Sequence, residues 1–128
     1  MLVVDTDTLM FFEGHRAALP LFLEFETFLD SAFPVVNKRV CRTQISYFNR
    51  HVFACVSFAA VKRKADLPEG YMVITLCLPA RLDSDRAAVK VETYPGRWTH
   101  HFVVSSPDEL DDEFRIFVRE AYDFAYIK

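Results

Sequence analysis

The chain has 128 residues, enough for one domain that buries roughly two-thirds of its unfolded surface without a disulfide or metal to hold it. Its 52% hydrophobic and 15% aromatic content, with 13 Phe, excludes disorder. A net charge of −3 and a pI near 5.8 argue against strong duplex binding but not against a local basic patch.

In chain order, residues 13–32 read as a helix. Leu21, Phe22, Phe25, Phe28, Leu29 and Ala32 recur at three- and four-residue spacing. Pro20 fits the first turn, and Phe33-Pro34 ends the helix because the residue before Pro avoids helical dihedrals. Short strands follow over 35–41 and 43–48, with Asn49-Arg50-His51 as a turn. A strong apolar strand covers 52–61, and Pro68 and Gly70 mark a loop. Strands are predicted over 71–78, 88–93 and 97–105, with Tyr94-Pro95-Gly96 as the last turn. Ser106-Pro107-Asp108-Glu109 is a capping box: Ser106 caps, Pro107 opens the helix and Glu109 reaches back. Leu110, Phe114, Phe117, Val118, Ala121 and Phe124 make the buried stripe of that final helix. The expected fold class is α+β. It is a two-layer sandwich in which an antiparallel meander of five or six strands carries the N- and C-terminal helices on one face. Residues 1–128 form a single domain.

Charge and sulfur are uneven. Residues 1–37 hold six acids against Arg16 alone, whereas Lys38, Arg39, Arg42, Arg50, Lys62, Arg63 and Lys64 occupy 38–65 without an acid. Cys41, Cys55 and Cys77 are widely spaced and lack a CxxC pair, so they read as reduced, mostly buried thiols in a cytoplasmic protein. Residues 1–10 carry Asp5 and Asp7 and no basic cluster, which is not a secretory leader pattern. No apolar run approaches the ~20 residues that cross a bilayer.

The last strand supplies most of the site chemistry. Trp98, His100 and Phe102 alternate with Arg97, Thr99 and His101. Successive strand side chains point to opposite faces, so His100 turns inward while His101 shares a face with Arg97. Arg suits planar anions and His titrates near neutrality. The candidate ligand-binding set is Arg97, His101, Gln44, Tyr47, Arg50 and His51, with Thr43 and Ser46 as neighbours. Adjacent histidines cannot easily share an ion, and no HExxH or clustered Cys/His spacing occurs, so neither a metal nor a cofactor is expected. With only three Gly there is no Gly-rich phosphate loop, and there is no nucleophile elbow. Catalytic residues stay unassigned.

Two segments carry a family resemblance. One is Arg42-Thr43-Gln44-Ile45-Ser46-Tyr47-Phe48-Asn49-Arg50-His51-Val52-Phe53-Ala54. The other is Arg97-Trp98-Thr99-His100-His101 with Ser106 to Glu113 and Arg119-Glu120-Ala121-Tyr122. The chain from Phe11 onward resembles the bacterial family labelled domain of unknown function 5655, which supplies no activity to carry over. The order of elements is similar to frataxin-like and YjbR-like folds, an analogy of fold only.

Three functions compete. The first is a small cytoplasmic binding module that recognises a polar or anionic ligand, or a partner, through its sheet face. A homodimer through an apolar surface is compatible with it. The second is a nucleic-acid-associated domain using the basic 38–64 segment on phosphates. The third is a small enzyme with His101 or His51 as acid/base. No membrane contact is expected.

Overall fold

The computed structural model describes residues 2 and 4–128; the Lys64 side chain is outside that description, as are Met1 and Val3 of the segment read for a leader. Three α-helices and six strands follow in the order α1 (Thr6–Phe11), α2 (Leu19–Ala32), β1 (Asn37–Val40), β2 (Gln44–Phe48), β3 (Val52–Ser57), β4 (Met72–Leu78), β5 (Val89–Tyr94), β6 (Arg97–Val104) and α3 (Asp112–Ile127).

The helix predicted over 13–32 is shorter at its start. Gly14 takes φ +83°, a left-handed conformation that stops helix propagation. A 3-10 turn at Arg16–Ala18 then leads into α2, with Pro20 in its first turn. Helix α1 was not predicted. Asp5 caps it by accepting from the Thr8 N–H at 2.9 Å and the Thr8 hydroxyl at 2.8 Å.

All strand pairs are antiparallel, in the order β1-β2-β3-β4-β6-β5. The expected simple meander therefore fails at one point: β4 pairs with β6, and β5 lies outside it. The physical reason is burial. Strand β6 brings His100, Phe102 and Val104 to the core, whereas β5 is exposed from Val91 to Tyr94 and suits an edge. The connection over 79–88 becomes a strap. Arg86 holds it to the start of α3 by bonds to Asp111 (2.7 Å), Glu113 (2.9 Å) and the Glu109 carbonyl (2.8 Å).

Both long helices cover the same sheet face. Phe25 of α2 meets Tyr47 edge-on, and Phe114 of α3 meets Phe102 edge-on. Ile45, Val56, Ile74, Leu76 and Phe102 complete the sheet side of the core. Each fully buried large apolar side chain contributes roughly 1.5–3 kcal/mol. The capping box at Ser106 is present, but it caps a 3-10 turn, Pro107–Glu109. A second cap, Asp111, accepts from the Phe114 N–H at 3.0 Å and starts α3. Among the described residues no helix is long and apolar enough to cross a membrane.

Candidate functional site

The sheet has one covered and one open face, and the strand registers assign each predicted residue that lies in a strand to one of them. Across the middle of the open face runs the row Arg39, Ser46, Cys55, Thr75, His101 and Val89, each paired with the next. Beside it runs Gln44, Ser57, Val73 and Val103. The row is built from small side chains that satisfy one another. Gln44 donates to Ser46 at 3.1 Å, and Ser46 lies 3.7 Å from the Cys55 sulfur. The Thr75 hydroxyl is 2.8 Å from Nδ1 of His101. Partial burial pushes the His101 imidazolium pKa below its ordinary value. The sole acid in the six strands is Glu92, which pairs with Trp98 and so projects to the other side. The open-face positions of the sheet carry no carboxylate, in a protein whose net charge is negative.

Gln44, Arg97 and His101 thus share the open face, as their alternation implies. Arg97 stands exposed beside the Pro95–Gly96 turn, where Gly96 adopts φ +75°. Four residues separate it from His101, about 13 Å along the strand, so the two do not converge on one small ligand. Tyr47 lies on the covered face instead. It stands three residues from Gln44 and one from Ser46, and either odd separation inverts the face. Its hydroxyl donates to Glu26 at 2.7 Å, and Lys38 reaches the same carboxylate oxygen at 2.9 Å. Burial first, and the Glu26 charge second, push the Tyr47 phenol well above its ordinary range. Nothing in the local sequence announced this trio, because Glu26 reads as one more acid on a helix.

Arg50 and His51 leave the sheet face as well. With Asn49 they hold the end of α3: Asn49 donates to the Tyr122 carbonyl at 2.9 Å, His51 Nδ1 to Ala125 at 2.9 Å and Arg50 to Tyr126 at 3.2 Å. Donors and a cation there complement the negative end of the helix. His100 is fully buried on the covered face. Its Nε2 accepts from the Leu82 N–H of the strap at 3.0 Å, which leaves the proton on Nδ1. That atom has no partner of hydrogen-bonding geometry. Burial lowers the His100 pKa, and the nearby Trp98 carbonyl works the other way.

Among the described residues of the basic segment, the side chains are spread rather than gathered in one patch. Lys38 is committed to Glu26, Arg50 to α3 and Arg63 to Asp66, while Arg39 lies over the Phe48 ring. Arg42 and Thr43 instead border a separate groove of about 500 Å³ with Phe11, His15 and Phe58. There His15 stacks flat on Phe58 at 3.8 Å. The thiols correct the expectation that they are mostly buried: Cys41 is exposed, and Cys55 and Cys77 are half-buried. Both half-buried ones are open-face positions, next to Thr75 and two residues beyond it. Burial raises the Cys55 pKa, with its Ser46 contact opposing, so this thiol is not an activated nucleophile. Among the described residues no three His, Cys, Asp or Glu side chains are grouped to hold a metal ion.

A family model described as Domain of unknown function (DUF5655) matches residues 10–125. No curated protein and no solved structure matches the chain.

Proposed function

The chain belongs to the DUF5655 family, and from its own residues we propose that it is a non-catalytic binding module that docks a partner protein on the open face of its sheet. One observation carries this reading. The helices cover one sheet face only, and the other offers a row of small hydroxyl, thiol and imidazole groups without a carboxylate, flanked by Arg39 and Arg97. A sheet surface of small residues allows close approach, and the flanking cations favour a partner whose contact surface is acidic and rich in hydrogen-bonding groups. An extended partner suits this surface better than a small ligand, because Arg97 and His101 stand too far apart to grip one molecule. The enzyme reading lacks support in the geometry: His101 pairs with Thr75 on one ring nitrogen, His100 is sealed, and His51 is engaged with α3. The nucleic-acid reading is weakened by the internal partners of Lys38, Arg50 and Arg63.

The test is quantitative affinity capture with the wild type and with Thr75→Arg, which plants a long cation in the middle of the row. The reading expects proteins retained by the wild type to be lost from the variant while the thermal midpoint stays within a few degrees. Equal recovery on both, or none above an unrelated control protein, would overturn it.

A further inference from the structure

We infer that β5 is the seam of a two-fold dimer, in which a second copy of this chain adds its own β5 antiparallel to the first. The inference concerns the sheet edge and does not rest on the partner reading of the open face.

Strand β5 pairs with β6 on one side only. Its outer half is exposed, with Val91 at 45%. An edge strand presents unpaired N–H and C=O groups to any chain that fits them. Which groups these are follows from the ladder. The Cys41 N–H donates to the Gln44 carbonyl at 2.9 Å, so Cys41–Gln44 is a hydrogen-bonded pair, and so is Arg39–Ser46 two residues on. Each residue directs its N–H and C=O to the same neighbour. Along the row the bonded pairs are therefore Arg39–Ser46, Cys55–Thr75 and His101–Val89. Val89 and Val91 then face β6, and Lys90 and Glu92 direct their backbone groups away from the sheet.

The side chains select a register. Centring the two-fold on Val91 sets Lys90 opposite Glu92 of the second copy, and Glu92 opposite its Lys90. Both are hydrogen-bonded pairs, so the seam has four ladder bonds and two opposite-charge pairs. Val91 meets its own copy at the closer, non-bonded pair, where side chains touch most. Centring on Lys90 or on Glu92 would set like charges opposite each other. Lys90 donates to the Leu82 carbonyl at 2.8 Å, and its ammonium has two further donors. The other edge, β1, carries Lys38 and Arg39 and no acid to meet them. A two-fold at Val91 is self-complementary in the manner of an isologous interface. It also turns both open faces to the same side, as one continuous sheet.

The experiment is sedimentation equilibrium of the full chain over concentrations up to about 1 mM, the range a short seam calls for. It compares the wild type, Glu92→Lys, Lys90→Glu and an equimolar mixture of those two variants. The expected result is a wild-type dimer, with the dissociation constant raised about tenfold or more in each variant alone. The mixture regains dimer, because every 90–92 pair across the seam is again of opposite charge. Glu92→Pro removes an outward N–H while leaving the β6 ladder intact. It is expected to be monomeric and decides the matter with Glu92→Lys if Lys90→Glu fails to fold. A wild type that is monomeric throughout, or a dimer unchanged by Glu92→Lys and Glu92→Pro, would overturn the inference.

Discussion

His100 and His101 are neighbours in the chain and inhabit different chemistry. His100 is fully buried, takes a hydrogen bond from the strap and has one ring nitrogen without a partner. His101 is half-buried on a face that no helix covers, and shares a hydrogen bond with a threonine. The contrast extends to the whole sheet. On the covered face, polar groups are few, buried and interlocked, as in Glu26, Tyr47 and Lys38. On the open face they are many and small, and all but the buried Ser46 keep part of their surface in solvent. The same six strands thus make a covered face and an open face, and the two should respond differently to substitution.

The largest effect belongs to the covered face. Glu26→Ala leaves Lys38 and Tyr47 without their shared acceptor and is expected to cost about 3–5 kcal/mol of stability, read from the denaturant midpoint. A loss below about 1 kcal/mol would mean that the trio is not a keystone and would blur the contrast. Acid sharpens the comparison next. Both histidines have pKa values lowered in the folded state, so the unfolded chain binds their protons first. Stability should be level above about pH 7 and fall as pH drops below ~6.5, the unfolded value. The slope is at most about 1.4 kcal/mol per pH unit for each histidine, and it flattens below the folded pKa values. Stability that rises on acidification through this window would contradict the burial of His100. Ser106→Ala, which removes a cap remote from either face, is expected to cost about 1 kcal/mol. An unchanged denaturant midpoint would show the box to be redundant with the second cap at Asp111. The smallest effect belongs to the open face. Thr75→Val keeps the shape, loses one hydrogen bond and should change stability by no more than about 1 kcal/mol. A larger loss would make this face structural too.

Much of this division was legible in the sequence. Period-two alternation along 97–105 puts His100 and His101 on opposite faces; the Ser-Pro-Asp-Glu box reads as the start of the final helix, but it caps a 3-10 turn and α3 begins at the Asp111 cap. The same alternation, applied from Gln44 and Ser46, puts Tyr47 on the far side of the sheet. Grouping it with them by chemical type overlooked that parity. Other features are tertiary and leave no local trace. The roles of Arg50 and His51 at the end of α3 depend on a helix more than seventy residues later. The exchange of β5 and β6 depends on which strand has more apolar surface to hide. Helix α1 had a signal, the Asp5 and Thr8 cap, but it is only six residues long and short helices owe their existence to packing.

Cys55 and Cys77 are built-in reporters of the open face, and their alkylation reads out whether a partner covers it. Both thiols would be labelled with a maleimide in cells making the protein and in the purified chain, with exposed Cys41 as the internal reference. With a partner on the open face, Cys55 and Cys77 are expected to react more slowly in cells than in the purified protein, relative to Cys41. Equal relative rates in the two settings would contradict it.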